Sequence, residues 1–471
     1  MALQGDETMI QLIKGQRKSN LDYRDNLMVN MTAVAEDIEG DQGYIIAHDG
    51  LTEFATTSGT ARGAFFNERL NRHFRVSGDY FESISSTGVV TTIGAVPGSG
   101  VCQFSESFNT QAVLSAGRLW LYDGFSLTEV TDPELGAPID ITQFNQIYVM
   151  TDGQYLFHTD INNEFSISPL KYSSSEFSAD PIKGVIRTDS NQIVAFNRYS
   201  TEVFYFNANA PTGTSVLQRI EGAATTVGII GTKCKCKLDG GIFILGGRKD
   251  ESPSIYLMGN GGPQGIATRE IDKIISQYDE SELENVFMES RVVDRDKFLI
   301  VHLPNETLLY NLTVSQRYGN EMAWSFVKSG SDSPWRARYG IFDPRAGVWI
   351  YGDTQENKLA YLDRESFAQY GEAQEALFYT PILPLQQRSI AEISIDTIPG
   401  YSTSDVDVAF SMSFDGVGWG SEHWNKVSMP NNYNTNYIIR ALGYVSRSVS
   451  FRFRFISEDK MAFSGVTPRV A

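Results

Sequence analysis

An all-β architecture is what this sequence predicts: a β-propeller-like array of six or seven blades, with a C-terminal antiparallel β-sandwich and an N-terminal arm. Three observations carry that expectation. From about residue 43 to 370, short runs of β-branched and aromatic residues recur in pairs about tight polar or glycine turns. Beyond residue 372 the texture changes to strict apolar–polar alternation, and helical periodicity surfaces in one place only. The 471 residues exceed what one ordinary core organises, and 41% hydrophobic against 20% charged residues is a globular balance throughout.

The stretch from Met9 to Met31 mixes apolar and charged residues without a clean period and precedes the first strand-like run, Gly43 to His48. Residues 1–42 are therefore expected to form an arm. The array, residues 43–371, shows its hairpins most clearly at Val113 to Tyr122 around Ala116-Gly117, at Ile147 to Phe157 around Asp152-Gly153, and at Ile193 to Phe206 around Asn197-Arg198. Three more are expected at Ile242 to Leu257 around Gly246-Gly247, Phe298 to Tyr310 around Pro304-Asn305, and Val348 to Leu362 around Gly352-Asp353; Phe65 to Val76 forms a first copy. Such units recur about every 35 to 55 residues, the spacing of four-stranded blades that need neighbours to bury their faces. No Trp-Asp signature repeats, which leaves a large irregular β-sandwich as the alternative.

Ile271, Ile274, Ile275 and Tyr278 fall at i, i+3, i+4 and i+7 and predict one helix packed on the sheets, with the acidic run Asp279 to Glu284 as a solvated loop or helix end. In residues 372–471, Val406, Val408, Phe410 and Met412 face one way and Asp405, Asp407, Ser411 and Ser413 the other; Val449, Phe451, Phe453 and Phe455 repeat the pattern. Strands that bury one face only predict a separate sandwich.

The balance of 39 Lys plus Arg against 57 Asp plus Glu, net −18, disfavours broad phosphate neutralisation, although an acidic wall lets a polyanion slide past. Cys102, Cys234 and Cys236 are too few and oddly numbered for a disulfide framework and point to folding in a reducing compartment. Neither a signal-like start nor a membrane-length apolar stretch occurs, so a soluble chain made in cytoplasm is expected.

The search for chemistry is mostly negative. His48, His73, His158, His302 and His423 lack metal-site spacing, and Cys234 with Cys236 in the Lys233 to Lys237 run lacks further ligands, so that run is read as an exposed basic strand face. The glycine stretches Gly246-Gly247 and Gly259 to Gly262 lack the lysine and hydroxyl of a phosphate loop, and no Gly-x-Ser-x-Gly elbow is present. Ser413 to Trp419 approaches a sialidase Asp-box but occurs once and outside the array, as an ordinary Asp-Gly hairpin does. No catalytic residue, cofactor or metal is assigned, and the partner-interface residues are left open. Trp419 and Trp424 are the aromatic candidates for a glycan- or receptor-binding reading, with a glycosidase behind it.

Met288-Glu289-Ser290-Arg291, followed by Phe298 to Pro304 with its His-Leu-Pro end and by Leu308-Leu309-Tyr310, resembles the packaged-DNA stabilisation family of podoviruses, the tail-hub and head-closure factors of short-tailed phages. Asp22-Tyr23 leading to Asn30-Met31 and Gly43-Tyr44 is similar to the family's opening; Asp180 to Gly184, Glu202 to Phe206 and Asp415-Gly416 add weaker likenesses. The resemblance spans nearly the whole chain and is most diffuse between residues 60 and 140. It implies a non-enzymatic virion tail-hub protein, a ring of six below the portal and its adaptor ring. That ring closes the head on packaged DNA and lets DNA pass during ejection without specific binding. Attachment of tailspikes or fibres and of a needle or plug is implied too, with no membrane insertion by this chain.

Overall fold

The structure, a computed structural model, describes residues 10–11, 27–36, 43–161, 163–211, 214–259, 262–385, 387–398, 403–428 and 436–470. They form two compact units: one from the described residues of Met1–Thr52, Arg291–Trp335 and Leu362–Ala471, the other from Glu53–Ser290 and Arg336–Tyr361.

The second unit is the propeller. Four of its antiparallel sheets follow one another along the chain, each a simple meander beginning at Ala61–Asn67, Gln103–Glu106, Asp140–Phe144 and Ile182–Arg187. A fifth, five-stranded sheet is centred on Gly241–Gly247, and a sixth takes Ala337–Asp343, Val348–Asp353 and Lys358–Asp363 and adds Gly50–Thr56 as its last strand. Each of the four is a meander because successive strands pair directly, many through tight turns; at Ala116 and Gly117 both residues adopt positive φ, 49° and 75°, as the tight turn requires. Burial then comes from neighbours. Phe74, Val76 and Phe81 of the first sheet pack on Val113 and Trp120 of the second; Leu119 and Leu121 of the second pack on Tyr148 and Phe157 of the third; Ile147 and Leu156 pack on Ile193 and Phe204 of the fourth. Ile84 meets Ile350 and Leu359, joining the first sheet to the sixth. Each such side chain contributes about 1.5–3 kcal/mol by leaving water.

Two turn assignments need correction. Gly246-Gly247 and Gly352-Asp353 end strands Gly241–Gly247 and Val348–Asp353, and the turns follow them. A Cβ on Gly246 would lie 1.8 Å from the Gly228 carbonyl oxygen, and one on Gly352 would lie 2.2 Å from the Ala61 Cβ. These glycines admit a neighbouring strand rather than reverse the chain.

The helix sought around Ile271 is Arg269–Ile275, with Ile271 and Ile275 buried. The acidic run is the start of a second short helix, Glu280–Leu283, whose N-cap Asp279 accepts from Glu282 N while Glu282 accepts from Asp279 N, both at 2.9 Å. A third helix, Leu312–Tyr318 in the other unit, escaped the sequence reading; Asn311 caps it through Thr313 N at 3.0 Å. No helix among the described residues is long and apolar enough to cross a membrane.

The sandwich unit holds two sheets. One has the order Met31–Val34, Tyr44–Ala47, Ala462–Val470, Arg388–Thr397, Asn436–Val445, with Ile10–Gln11 paired to Ala462–Val470. The other runs from Phe287–Val293 through Asp296–His302, Thr307–Asn311, Trp324–Ser329, Met28–Val29, Gln374–Tyr379, Ser448–Ser457 and Val406–Ser413 to His423–Ser428. Between them, Phe463 of the first sheet meets Phe378 and Phe455 of the second at 4.7 and 6.0 Å, and Phe378 stacks on Phe453 at 4.8 Å.

The units therefore cut the chain differently from the linear division at 42 and 371. Part of the expected arm is core: Met28 and Met31 are 2% and 1% exposed, and Met28–Val29 pairs with both Trp324–Ser329 and Gln374–Tyr379. That one short strand stitches residues 291–335, expected in the array, into the sandwich sheet. Residues 1–9, 12–26 and 37–42 of the arm, Asp22 to Asn26 among them, lie outside the described residues, as do Asn260 and Gly261 of the second glycine stretch.

Candidate functional site

Side chains from the first strands of the propeller sheets converge on two cavities. One, of about 980 Å³, is lined by Phe65, Phe104, Gln143, Arg187, Asp189 and Lys237 among others; the second, of about 500 Å³, by Phe65, Phe104, Cys102, Lys233, Cys236, Phe287, Glu289 and Tyr339. Close approach of the strands is built into the sequence, since a Cβ on Gly63 would lie 2.7 Å from the Phe104 ring. Phe65 stacks on Phe104 at 6.3 Å, and Phe287 lies 4.9 Å from Tyr339. Tyr339 holds φ at 59°, uncommon for a residue with a Cβ.

Here the Lys233 to Lys237 run finds its place, and the reading of it as an exposed basic face is overturned. The Lys235 side chain is 7% exposed and paired with Asp140 at 2.6 Å, and Lys237 pairs with Asp189. Cys234 donates to the Leu283 carbonyl at 3.4 Å, and burial pushes its thiol up to about 12. Burial also pushes the Cys236 and Cys102 thiols up, so both stay protonated. Lys233 and Cys236 line the smaller cavity and Lys237 the larger, while Cys234 is turned into the core.

Behind the channel, Arg75 is fully buried and donates to the Tyr339 carbonyl at 2.9 Å, to the Ile350 carbonyl at 2.7 Å and to His73 Nε2 at 3.0 Å. Burial holds His73 down to about 4 despite Asp343 beside it. Burial pushes Asp343 up, but His73, 3.7 Å away, and the hydrogen bonds from Arg345 outweigh that and keep its carboxyl well below the usual range. Arg62 similarly ties Gly78, Val96 and Gly100 carbonyls and the Ser115 hydroxyl together.

In the sandwich unit, Arg291 and His302 of the His-Leu-Pro segment meet at Trp335. Arg291 bonds His48 Nε2 at 3.0 Å, Trp335 lies edge-on to His48 at 5.3 Å, and its ring parallels His302 at 6.3 Å. Burial, reinforced by Arg291, lowers His48 to about 3. Trp335 and Arg75 were not singled out from sequence, and only a lone Trp before Arg336 could have drawn notice to the first.

The two tryptophans do share a surface. Arg452 lies over Trp419 and Arg454 over Trp424, each at 5.1 Å, while Glu422 bonds Arg452 at 3.2 Å and Arg454 at 2.9 and 2.5 Å; Glu375 adds 3.0 Å to Arg454. The Asp415 turn that places Trp419 is ordinary: Asp415 Oδ1 accepts from Val417 N and Gly418 N, both at 2.8 Å. Of the five histidines, four are buried, His48 and His302 both against Trp335, and His423 lies on a sandwich strand; among the described residues no cluster of His, Cys, Asp or Glu could hold a metal.

A family model described as bacteriophage P22 Gp10, β-propeller, matches residues 8–367, and one described as bacteriophage P22 Gp10, β-sandwich, matches residues 375–471. The chain belongs to the P22 Gp10 family. The tail hub protein gp10 of Salmonella phage P22 is 28% identical over 98% of both chains. Membership makes this a structural, non-enzymatic tail-hub protein of a short-tailed phage, located in the virion tail among other tail components. Among solved structures, virginiamycin B lyase from Staphylococcus aureus is 10% identical at a TM-score of 0.41, covering 66% of this chain and 98% of that one, and a streptogramin B lyase is 11% identical at 0.41, covering 67% and 98%. Likenesses that loose carry no argument.

Proposed function

We propose that six copies assemble as a ring below the portal and its adaptor, close the head after packaging, and give attachment to tailspikes or fibres and to a needle or plug. The observation that carries this is end-to-end membership of the tail-hub family, 98% of the chain against 98% of its relative. Charge and fold agree with it. Six copies at −18 each would carry −108, so a lumen walled by them would repel a polyanion and let it slide. That lumen belongs to the ring and not to the single propeller, whose channel cavities of about 500 and 980 Å³ hold a small molecule and are far too small for a duplex. We also propose that the chain is made in the host cytoplasm and stays monomeric until the adaptor ring templates it. The arm and array are kept as sequence modules, with residues 27–34 reassigned to the sandwich.

Light scattering of the chain alone, and after mixing with portal and adaptor rings of the same phage, tests the reading. Six copies joining only in the mixture is the expected result. A chain that never joined those rings would remove the ring and closure roles, and binding of host-surface glycans would then be the next activity to assay.

A further inference from the structure

The Lys233 amine is enclosed by the channel wall, and among the described residues it makes no hydrogen bond or ion pair, although its side chain keeps access to the cavity of about 500 Å³. Its neighbours are otherwise committed. Asp140 is bound to Lys235 Nζ at 2.6 Å and to Val185 N at 2.7 Å, and Glu289 accepts from Gly340 N at 2.8 Å. An ammonium left unpaired inside a protein costs several kcal/mol unless something compensates it. The remaining walls are the stacked Phe65 and Phe104 rings and the Phe287–Tyr339 pair, with the protonated thiols of Cys102 and Cys236. The cavity thus offers one cation and flat aromatic surface, with the Glu289 carboxylate, Gln103 and Ser290 also on its wall, within the size range of small-molecule sites.

We propose that the propeller channel binds a small aromatic carboxylate, its ring between the Phe65–Phe104 and Phe287–Tyr339 pairs and its carboxylate on the Lys233 ammonium. Binding is then linked to protons. Burial lowers Lys233 to about 7, Lys235 acts in the same sense, and Asp140 and Cys102 oppose it. Glu289, Cys236 and Tyr339 are the other titratable groups on that cavity. Below pH 7 the free amine carries its charge and accepts the anion. Above it the proton must be added at a cost, so affinity falls as pH rises.

Calorimetric titration of the full chain with benzoate, and with inorganic phosphate as an anion without a ring, tests this at pH 6 and pH 9. Benzoate should bind at pH 6 and lose about tenfold or more in affinity by pH 9. Lys233→Met should abolish binding, and because an apolar chain of similar length relieves the buried charge the variant should fold. Lys233→Arg should bind at both pH values. No heat with benzoate at about 10 mM, or binding unchanged in Lys233→Met, would overturn the proposal, as would phosphate binding as tightly as benzoate. None of these outcomes depends on ring assembly.

Discussion

The middle strands of the propeller sheets and the long strands of the sandwich bury themselves by different rules. Gln111–Ser115, Ile147–Thr151 and Ile193–Asn197 are buried at every residue, because each sheet has a neighbour on both faces. Ser448–Ser457 largely alternates, with Val449, Phe451, Phe453 and Phe455 inside and Arg452, Arg454 and Ile456 toward the outer face. The propeller accordingly spreads its core over many small inter-sheet clusters and inserts buried charge among them, as at Arg75 and His73. The sandwich concentrates its aromatic core in one phenylalanine stack and pairs Arg452 and Arg454 around Glu422 on an outer face, while Arg291 and His48 form a buried polar pair beside Trp335. Loss of one blade contact is therefore shared with neighbours, whereas loss of a stack member has no substitute.

Hydrogen exchange read segment by segment separates the two units and can break that comparison. The largest effect is expected from Phe453→Ala, about 3–5 kcal/mol from the stack, with protection lost in Gln374–Tyr379 and Ser448–Ser457 and retained in the propeller sheets. Equal loss in both units would show that they unfold as one. Arg75→Ala should cost about 2–4 kcal/mol in the propeller alone, since it leaves the Tyr339 and Ile350 carbonyls unpaired.

Acid should distinguish the units as well. The folded-state pKa of His73 lies below its unfolded value, so the unfolded chain binds more protons and stability falls with pH from 6.5 toward about 4, by about 3 kcal/mol. His48 extends the same loss in the sandwich unit to about pH 3. Denaturant midpoints against pH should show the propeller slope flattened in His73→Gln and the sandwich slope untouched. The smallest effect belongs to Trp424→Ala, 49% exposed at the edge of the Glu422 network, at about 0.5–1 kcal/mol. A larger change would mean that the outer face, and not only the stack, holds the sandwich together.

Much of this was legible in the linear chain where the signal is local. Hairpins at Ala116-Gly117 and Asp152-Gly153 stand out because turn residues sit between apolar runs, and the alternation of Val449 to Phe455 announces a one-sided strand. The glycines at 246 and 352 misled for a physical reason: close approach of a distant strand selects glycine as strongly as a turn does. The Lys233 to Lys237 run misled likewise, because its partners Asp140, on a strand, and Asp189, in a turn, lie far away in sequence and nothing local distinguishes a paired lysine from a solvated one.

By itself, then, the sequence determined an all-β chain, a repeat array with a one-sided sheet after it, an acidic balance and the family to which those patterns belong. Only the tertiary structure decided that Met28–Val29 joins residues 291–335 to the sandwich, that Arg291, His48 and His302 converge on Trp335, and that Lys233 faces a cavity without a counter-ion. The first group depends on periodicity and turn chemistry, which act over a few residues. The second depends on which strands become neighbours across hundreds of residues, and that is settled only when the whole chain competes for burial.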